Sequence, residues 1–432
     1  MPKRINLSAA GKAPTADQVD IAYRIARPVF AQLGVDTERA VKAALEVPIS
    51  VHCWQADDVA GLETRPEGLS QGGIQATGHF PGAARNGDEI RQDFDLAASL
   101  MPGALRFNIH ASYAETGGQV VDRDAIEPKH FARWVDWARS RKLGLDFNPT
   151  YFAHPLAESG LTLSHPDRAI REFWIAHGIA CRKIARSFAK ELGPSVCNIW
   201  IPDGMKDSTV DRWGPRARLI ESLDATLQAK MTGVVDAVES KLFGIGCEDY
   251  TVGSHEFYLL YALSRQVVVC YDTGHFHLTE SVADKLSSTL AFLDRILVHV
   301  SRGIRWDSDH VAVSSDELKA LCDEAARGEA IGRIYWALDY FDASINRIGA
   351  WVVGARALRK ALLYAMLEPT HLLAEAEAKG QGAAKLALLE RRRELPFGAV
   401  WDYLCLKAGK PIGAGWLTAM QVYEKKVLAA RV

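Results

Sequence analysis

Four residues able to hold a metal ion stand one per apolar run in the second half of the chain. They are Glu239 in AVESKLFGIG, Asp272 in VVVCYDTGHFH, His299 in ILVHVSRG and Asp339 in YWALDYFD. Each falls at or near the end of its run, and consecutive ones are 33, 27 and 40 residues apart. One strand-and-helix repeat takes about that much chain. Satellites follow the same runs: His275 in DTGH, and Asp307 and Asp309 in RWDSD. Three carboxylates and one imidazole, without a thiolate, form a hard donor set that suits Mn2+ or Mg2+, with Co2+ possible, better than structural zinc. The spacing predicts a closed first set of Glu239, Asp272, His299 and Asp339. A second set of His275, Asp307 and Asp309 would keep positions open for substrate or water, where chemistry would take place. Taken singly, DxxH and DxD are weak motifs. The competing reading is a scatter of surface carboxylates and core histidines, and spacing alone leaves both standing.

The elements that must position these residues have a regular plan. Residues 15–47 carry apolar positions at helical spacing and predict two short helices. Eight compact runs follow, ISVHCW, LRFNIH, LGLDFNP, VCNIWIPD, AVESKLFG, VVVCYDT, ILVHVS and IYWALDY. Each is apolar on both faces, as a buried parallel strand is. Segments of helical period lie between them, such as PKHFARWVDWARSRK. Eight strands alternating with helices predict an α/β chain folded as a (β/α)8 TIM barrel over residues 48–345, after an N-terminal tail and helices over 1–47. From 346 to 432 the alternation stops, and the pattern predicts a C-terminal helical extension. It either covers its own barrel or clasps a neighbouring subunit.

In such barrels the carboxyl ends of the strands face the active site. There the runs end in His52 and Trp54, His110, Asp146 and Asn148, and Trp200 and Asp203. A single strand-end histidine is ordinarily a hydrogen-bonded structural residue. Polar residues at all eight ends are harder to assign to chance.

Composition narrows the class. A formal charge of −2 over 432 residues, with 24% charged and 48% hydrophobic, describes an ordinary globular protein and gives no basic stripe for nucleic acid. No apolar run approaches a membrane span and the first residues lack a secretory segment, so no membrane partner is expected. Seven scattered cysteines without CxxC predict buried free thiols in a reducing cytoplasm rather than disulfides or a cysteine-zinc site.

The stretches VHCWQADDVAGLE, GGIQATGHFPG, NIWIPDGMKD, DAVESKLFGIG, DTGHFH, HVSRGIRWDSDHV and LDYFDASINRIGAW closely resemble the L-rhamnose isomerase family of the enterobacterial type. The resemblance runs from about residue 20 to the chain end. It implies a xylose-isomerase-like barrel, a cytoplasmic homotetramer, and interconversion of L-rhamnose and L-rhamnulose by a metal-assisted hydride shift on the open-chain sugar. It also implies two Mn2+ per subunit, Co2+ or Mg2+ substituting. The structural ion falls to Glu239, Asp272, His299 and Asp339, and the catalytic ion to His275, Asp307 and Asp309. Lys241, two residues after Glu239, shares its face of the strand and is expected to stabilise charge at O1; the alternative is an ion-pair partner for the carboxylates. Asp339 is expected to orient or deprotonate water near O1. Trp54 and Trp200 would wall the sugar, or simply pack the core, while His110 would hydrogen-bond one of its oxygens. The Gly-rich GGIQATGHFPGAARN loop carries Phe80 and would act as a lid or reach a neighbour's site. A metal-dependent phosphodiesterase of the endonuclease type is the alternative for the same barrel, with the charge balance against it.

Overall fold

The computed structural model describes residues 13–54, 61–63, 81–244, 246–305, 307–341 and 344–431, except the side chains of 307 and 308. The expected runs form eight strands: β1 (Ile49–His52), β2 (Leu105–His110), β3 (Gly144–Asn148), β4 (Ser195–Ile199), β5 (Val234–Glu239), β6 (Val268–Asp272), β7 (Ile296–Val300) and β8 (Ile334–Leu338). They pair in parallel, each with its sequence neighbour, and β8 pairs with β1 to close the barrel.

Alternation along the strands explains why both faces are apolar. Val51, Phe107, Ile109, Phe147, Val298 and Leu338 belong to the large core shared with the surrounding helices. The residues between them point into the barrel. There Val196, Ala237, Cys270, Leu297 and Ala337 form a separate small cluster. On the opposite side of the interior the filling is polar: Arg106 and Ser50 donate to Asp146, and Asn108 donates to Asn148. Asp146 is therefore a saturated interior residue, two positions nearer the amino end than Asn148, rather than a mouth residue.

Ahead of the barrel, the helix Ala16–Ala31 starts at a capping box between Thr15 and Gln18 and buries Val19, Tyr23, Ala26 and Phe30. That stripe packs with Val400, Trp401 and Leu404 of the helix Phe397–Lys407 in a second core. Tyr23 and Tyr403 stack there with ring centroids 3.6 Å apart. The N- and C-terminal helices thus cover each other. Arg347–Met366, which follows β8, packs against the helices Gly87–Leu100 and Asp316–Arg327 that flank the barrel. Its Arg359 is completely buried and donates to the carbonyls of Pro102, Ala44, Val47 and Ala104, which ties the N-terminal helices to the barrel floor. All seven cysteines are free and buried. Among the described residues no helix is long and apolar enough to cross a membrane.

Candidate metal centre

The strands β5 to β8 are consecutive around the barrel, and the first four residues singled out lie at their carboxyl ends. Their ligand atoms converge: one each from Glu239, Asp272, His299 and Asp339 all lie within 4.8 Å of one another. His299 Nδ1 stands 3.3 Å from Glu239 Oε2, 3.1 Å from Asp339 Oδ2 and 3.9 Å from Asp272 Oδ2. A second set, Asp272, His275 and Asp309, meets the same criterion. His275 Nε2 lies 3.5 Å from Asp309 Oδ2, and its Nδ1 lies 3.3 Å from Glu239 Oε1. Asp272 is thus common to both sets.

Orphaned polar atoms mark the same place. Asp272 Oδ2, His275 Nδ1, His299 Nδ1, Asp309 Oδ1 and Asp339 Oδ1 are buried without hydrogen-bond partners. Leaving five such atoms together is costly, which fits them as ligands of cations rather than as packing. Their neighbours hold them in place. Ser301 Oγ and the Gly274 N–H both donate to Asp272 Oδ1, so Oδ2 is left for an ion. Asn198 Nδ2 donates to Glu239 Oε2 in the same way.

The turn after β6 and the ribbon Arg302–Ile304 with Asp307–His310 bring the satellites together. Gly274 is required there, since a Cβ would lie 2.6 Å from Ser301 Oγ and 3.0 Å from Asp309 Oδ1. Asp309 has φ +67°, a left-handed backbone that costs energy in a non-glycine residue and aims its carboxylate at His275.

Charge in the centre is balanced between acids and imidazoles. Burial works against ionised Glu239, yet His299, His275 and Asn198 hold its pKa below the ordinary range. Burial pushes Asp272 well above it, with Asp309 and Glu239 adding to the effect, and pushes Asp339 up to about 6. For His275 burial opposes the charge, but Asp272, Asp309 and Glu239 prevail and lift it to about 10. The metal-free centre therefore retains protons that an incoming cation must displace.

Beside the centre runs an aromatic wall. Trp54 stacks on Phe341 at 5.5 Å and meets His110 edge-on at 4.8 Å. Phe152 joins His110 to Trp200. His110 Nδ1 is held by Thr150 Oγ1. The indole nitrogens of Trp54 and Trp200 are buried without partners. Phe152 and Phe341 are wall residues that sequence reasoning missed, because their runs carry no periodic signal beyond the strands.

Other expected residues are placed differently. Lys241 Nζ lies in its own turn, 3.2 Å from Cys247 Sγ and 3.3 Å from the Gly244 carbonyl oxygen. Asp203 faces away from chemistry: Thr162 and Ser164 saturate it with backbone and hydroxyl donors. His52 is a packed residue with Nδ1 3.0 Å from the Leu338 carbonyl, and burial lowers its pKa to about 3. Phe80 lies outside the described residues, and for Asp307 the backbone is described but not the side chain.

The chain matches the family model described as L-rhamnose isomerase (RhaA) over residues 17–431. It is 52% identical over 417 residues to the L-rhamnose isomerase of Salmonella typhimurium, an alignment covering 96% of this chain and 99% of that protein. The L-rhamnose isomerase of Salmonella paratyphi B gives the same figures. Among solved structures, it is similar to D-psicose 3-epimerase with D-tagatose from Clostridium cellulolyticum H10, at 16% identity and a TM-score of 0.40, covering 64% of this chain and 91% of that one.

Proposed function

Because the chain belongs to the L-rhamnose isomerase family, we propose that it interconverts L-rhamnose and L-rhamnulose with two divalent ions per subunit, Mn2+ by preference. The observation that carries this is the pair of donor sets sharing Asp272 at the ends of four adjacent strands. Glu239, Asp272, His299 and Asp339 would hold the anchoring ion. His275 and Asp309, with Asp272 and the sequence-assigned Asp307, would hold the other. Bound divalent ions supply Lewis-acid polarisation of the sugar oxygens and stabilise charge developing on them.

The remaining work falls to the chain. Isomerisation moves the hydrogen on C2 to C1 as a hydride, and the proton on O2 to O1, so that C1 becomes a CH2OH and C2 a carbonyl. Asp339, whose carboxylate lies at the mouth end of β8 beside His299 Nδ1, is the proposed group that orients or deprotonates a water near O1. Lys241, which follows Glu239 into the barrel mouth, would swing from the Gly244 carbonyl to stabilise negative charge at O1. Trp54 and Trp200 would present flat walls to the carbon face of the sugar, and His110, its ring fixed by Thr150, would bind a hydroxyl. Phe80, assigned from the sequence alone, would contact the substrate of its own or a neighbouring subunit.

The same reading makes the protein a cytoplasmic homotetramer that performs the first step of rhamnose catabolism. Its test is to strip the protein with chelator, restore Mn2+, Co2+ or Mg2+ separately, and assay L-rhamnulose formation. Restored turnover, greatest with Mn2+, is expected; no turnover with any ion refutes the proposal. Light scattering reads the tetramer directly.

A further inference from the structure

One buried thiol stands against the hard-donor character of the anchoring set. Cys270 precedes Asp272 by two residues on β6, so both side chains point into the barrel. Its register partner on β5 is Glu239. The Cys270 sulfur, a Glu239 oxygen and a His299 nitrogen all lie within 4.8 Å of one another, a spread compatible with three ligands on one ion. All three residues are buried, Glu239 and His299 at 1% exposure and Cys270 at 0%, so an ion on them would be shielded from water.

We propose that the anchoring set offers two alternative ion positions, selected by the softness of the ion. Hard ions such as Mn2+ take Glu239, Asp272, His299 and Asp339. Soft or borderline ions such as Cd2+ and Zn2+ settle deeper in the barrel, on Glu239, Cys270 and His299. Thiolate is the donor that such ions prefer, and carboxylate the donor that Mn2+ prefers. On binding, the Cys270 thiol gives its proton to solvent and a sulfur–metal bond forms, with no change of oxidation state.

The deeper position is dry. Cys270 is packed among Val196, Ala237, Leu297 and Ala337, which are apolar and exclude water from the sulfur. Glu239 and His299 serve both positions, so an ion at one draws ligands away from the other. An ion drawn down to Cys270 gives up Asp272 and Asp339, and with Asp272 it loses the carboxylate that links the two sets. The soft-ion form would then lack the paired arrangement needed for isomerisation, and zinc or cadmium would act as an inhibitor competing with Mn2+.

This inference rests on the metal-centre part of the proposed function and is independent of the sugar. The test is to strip the full-length protein and titrate it with Cd2+ while recording ultraviolet absorption. A sulfur-to-metal charge-transfer band that saturates at about one ion per chain is expected. Cys270→Ser and Cys270→Ala should abolish it, whereas Cys247→Ser should keep it. Cd2+ affinity should fall about tenfold in the Cys270 variants, while Mn2+ affinity, read from the spin resonance of free Mn2+, changes less than about twofold. Stoichiometric Cd2+ binding by the unmodified protein without the band overturns the inference and leaves the hard-ion centre intact. So does a band that survives in both Cys270 variants. Failure to bind either Cd2+ or Mn2+ overturns the inference together with the metal centre itself.

Discussion

An ion held by Glu239, Asp272, His299 and Asp339 would join β5, β6, β7 and β8, half of the closed barrel. Its binding free energy then becomes folding free energy. With free Mn2+ at about 1,000 times its dissociation constant, the folded state gains about 4 kcal/mol. A chain of 432 residues unfolds with an entropy of about 0.9 kcal/mol per kelvin. Adding Mn2+ to stripped protein should therefore raise the melting temperature by about 4 to 5 °C. Glu239→Gln keeps the shape and removes the charge that faces both His275 and His299 at 3.3 Å. It should erase most of the Mn2+-dependent rise. It should also lower the metal-free melting point, because removing one partner of a buried charge group costs about 3 kcal/mol, or about 3 °C. Asp309→Asn, which touches only the second set, should leave most of the rise in place. Differential scanning calorimetry at fixed pH, with and without Mn2+, decides between them. An equal Mn2+-dependent rise in Glu239→Gln and the unmodified protein would refute the reasoning, as would no rise in either.

Three further outcomes are expected. In metal-free protein the raised pKa of His275, about 10 in the fold against an ordinary value near 6.5, gives stability that is full below pH 6.5 and lost as pH rises toward 10, at about 1.4 kcal/mol per pH unit. Displacing the His275 proton costs Mn2+ less as pH rises over the same window, so the Mn2+-induced melting shift should grow from pH 6.5 to 8.5; a flat or shrinking shift contradicts this. Gly274→Ala would drive a methyl into Ser301 Oγ and Asp309 and push the Ser301 hydroxyl off Asp272 Oδ1. Isothermal titration should show weakened binding at the second set by about tenfold, and unchanged affinity would contradict the packing. Arg359→Met removes the donor that serves four carbonyls at the barrel floor and should cost about 3 kcal/mol or more. Thermal melts read that as a loss of about 3 to 4 °C, and a melting point within 1 °C of the parent's, set against that roughly 3 °C expectation, would show the clamp to be dispensable.

All eight strands were legible in the chain because a parallel strand buried on both faces must be apolar almost throughout, and the polar residue that ends it stands out. The anchoring residues were legible for the same reason: Glu239, Asp272 and His299 interrupt or end such runs, and Asp339 follows one directly. Period two also showed that Lys241 shares the inward face of Glu239, but not that its ammonium turns back to Gly244 and Cys247. Asp146 and Asp203 looked like mouth residues and proved to be saturated structural acids, because their partners Arg106, Ser50, Thr162 and Ser164 come from other segments.

The sequence by itself determined the order of strands, which residues face inward, and the identity of the hard donors, since these depend on side-chain chemistry and local period. Tertiary structure decided height and distance inside the barrel. Closure by β8 onto β1 and the stagger between strands set Glu239 level with Cys270 and Asp272 level with His299. That stagger makes Asp272 common to two donor sets and brings a thiol within reach of one of them. Neither result can be read from spacing along the chain, because the distance between two strands is fixed only when the sheet closes.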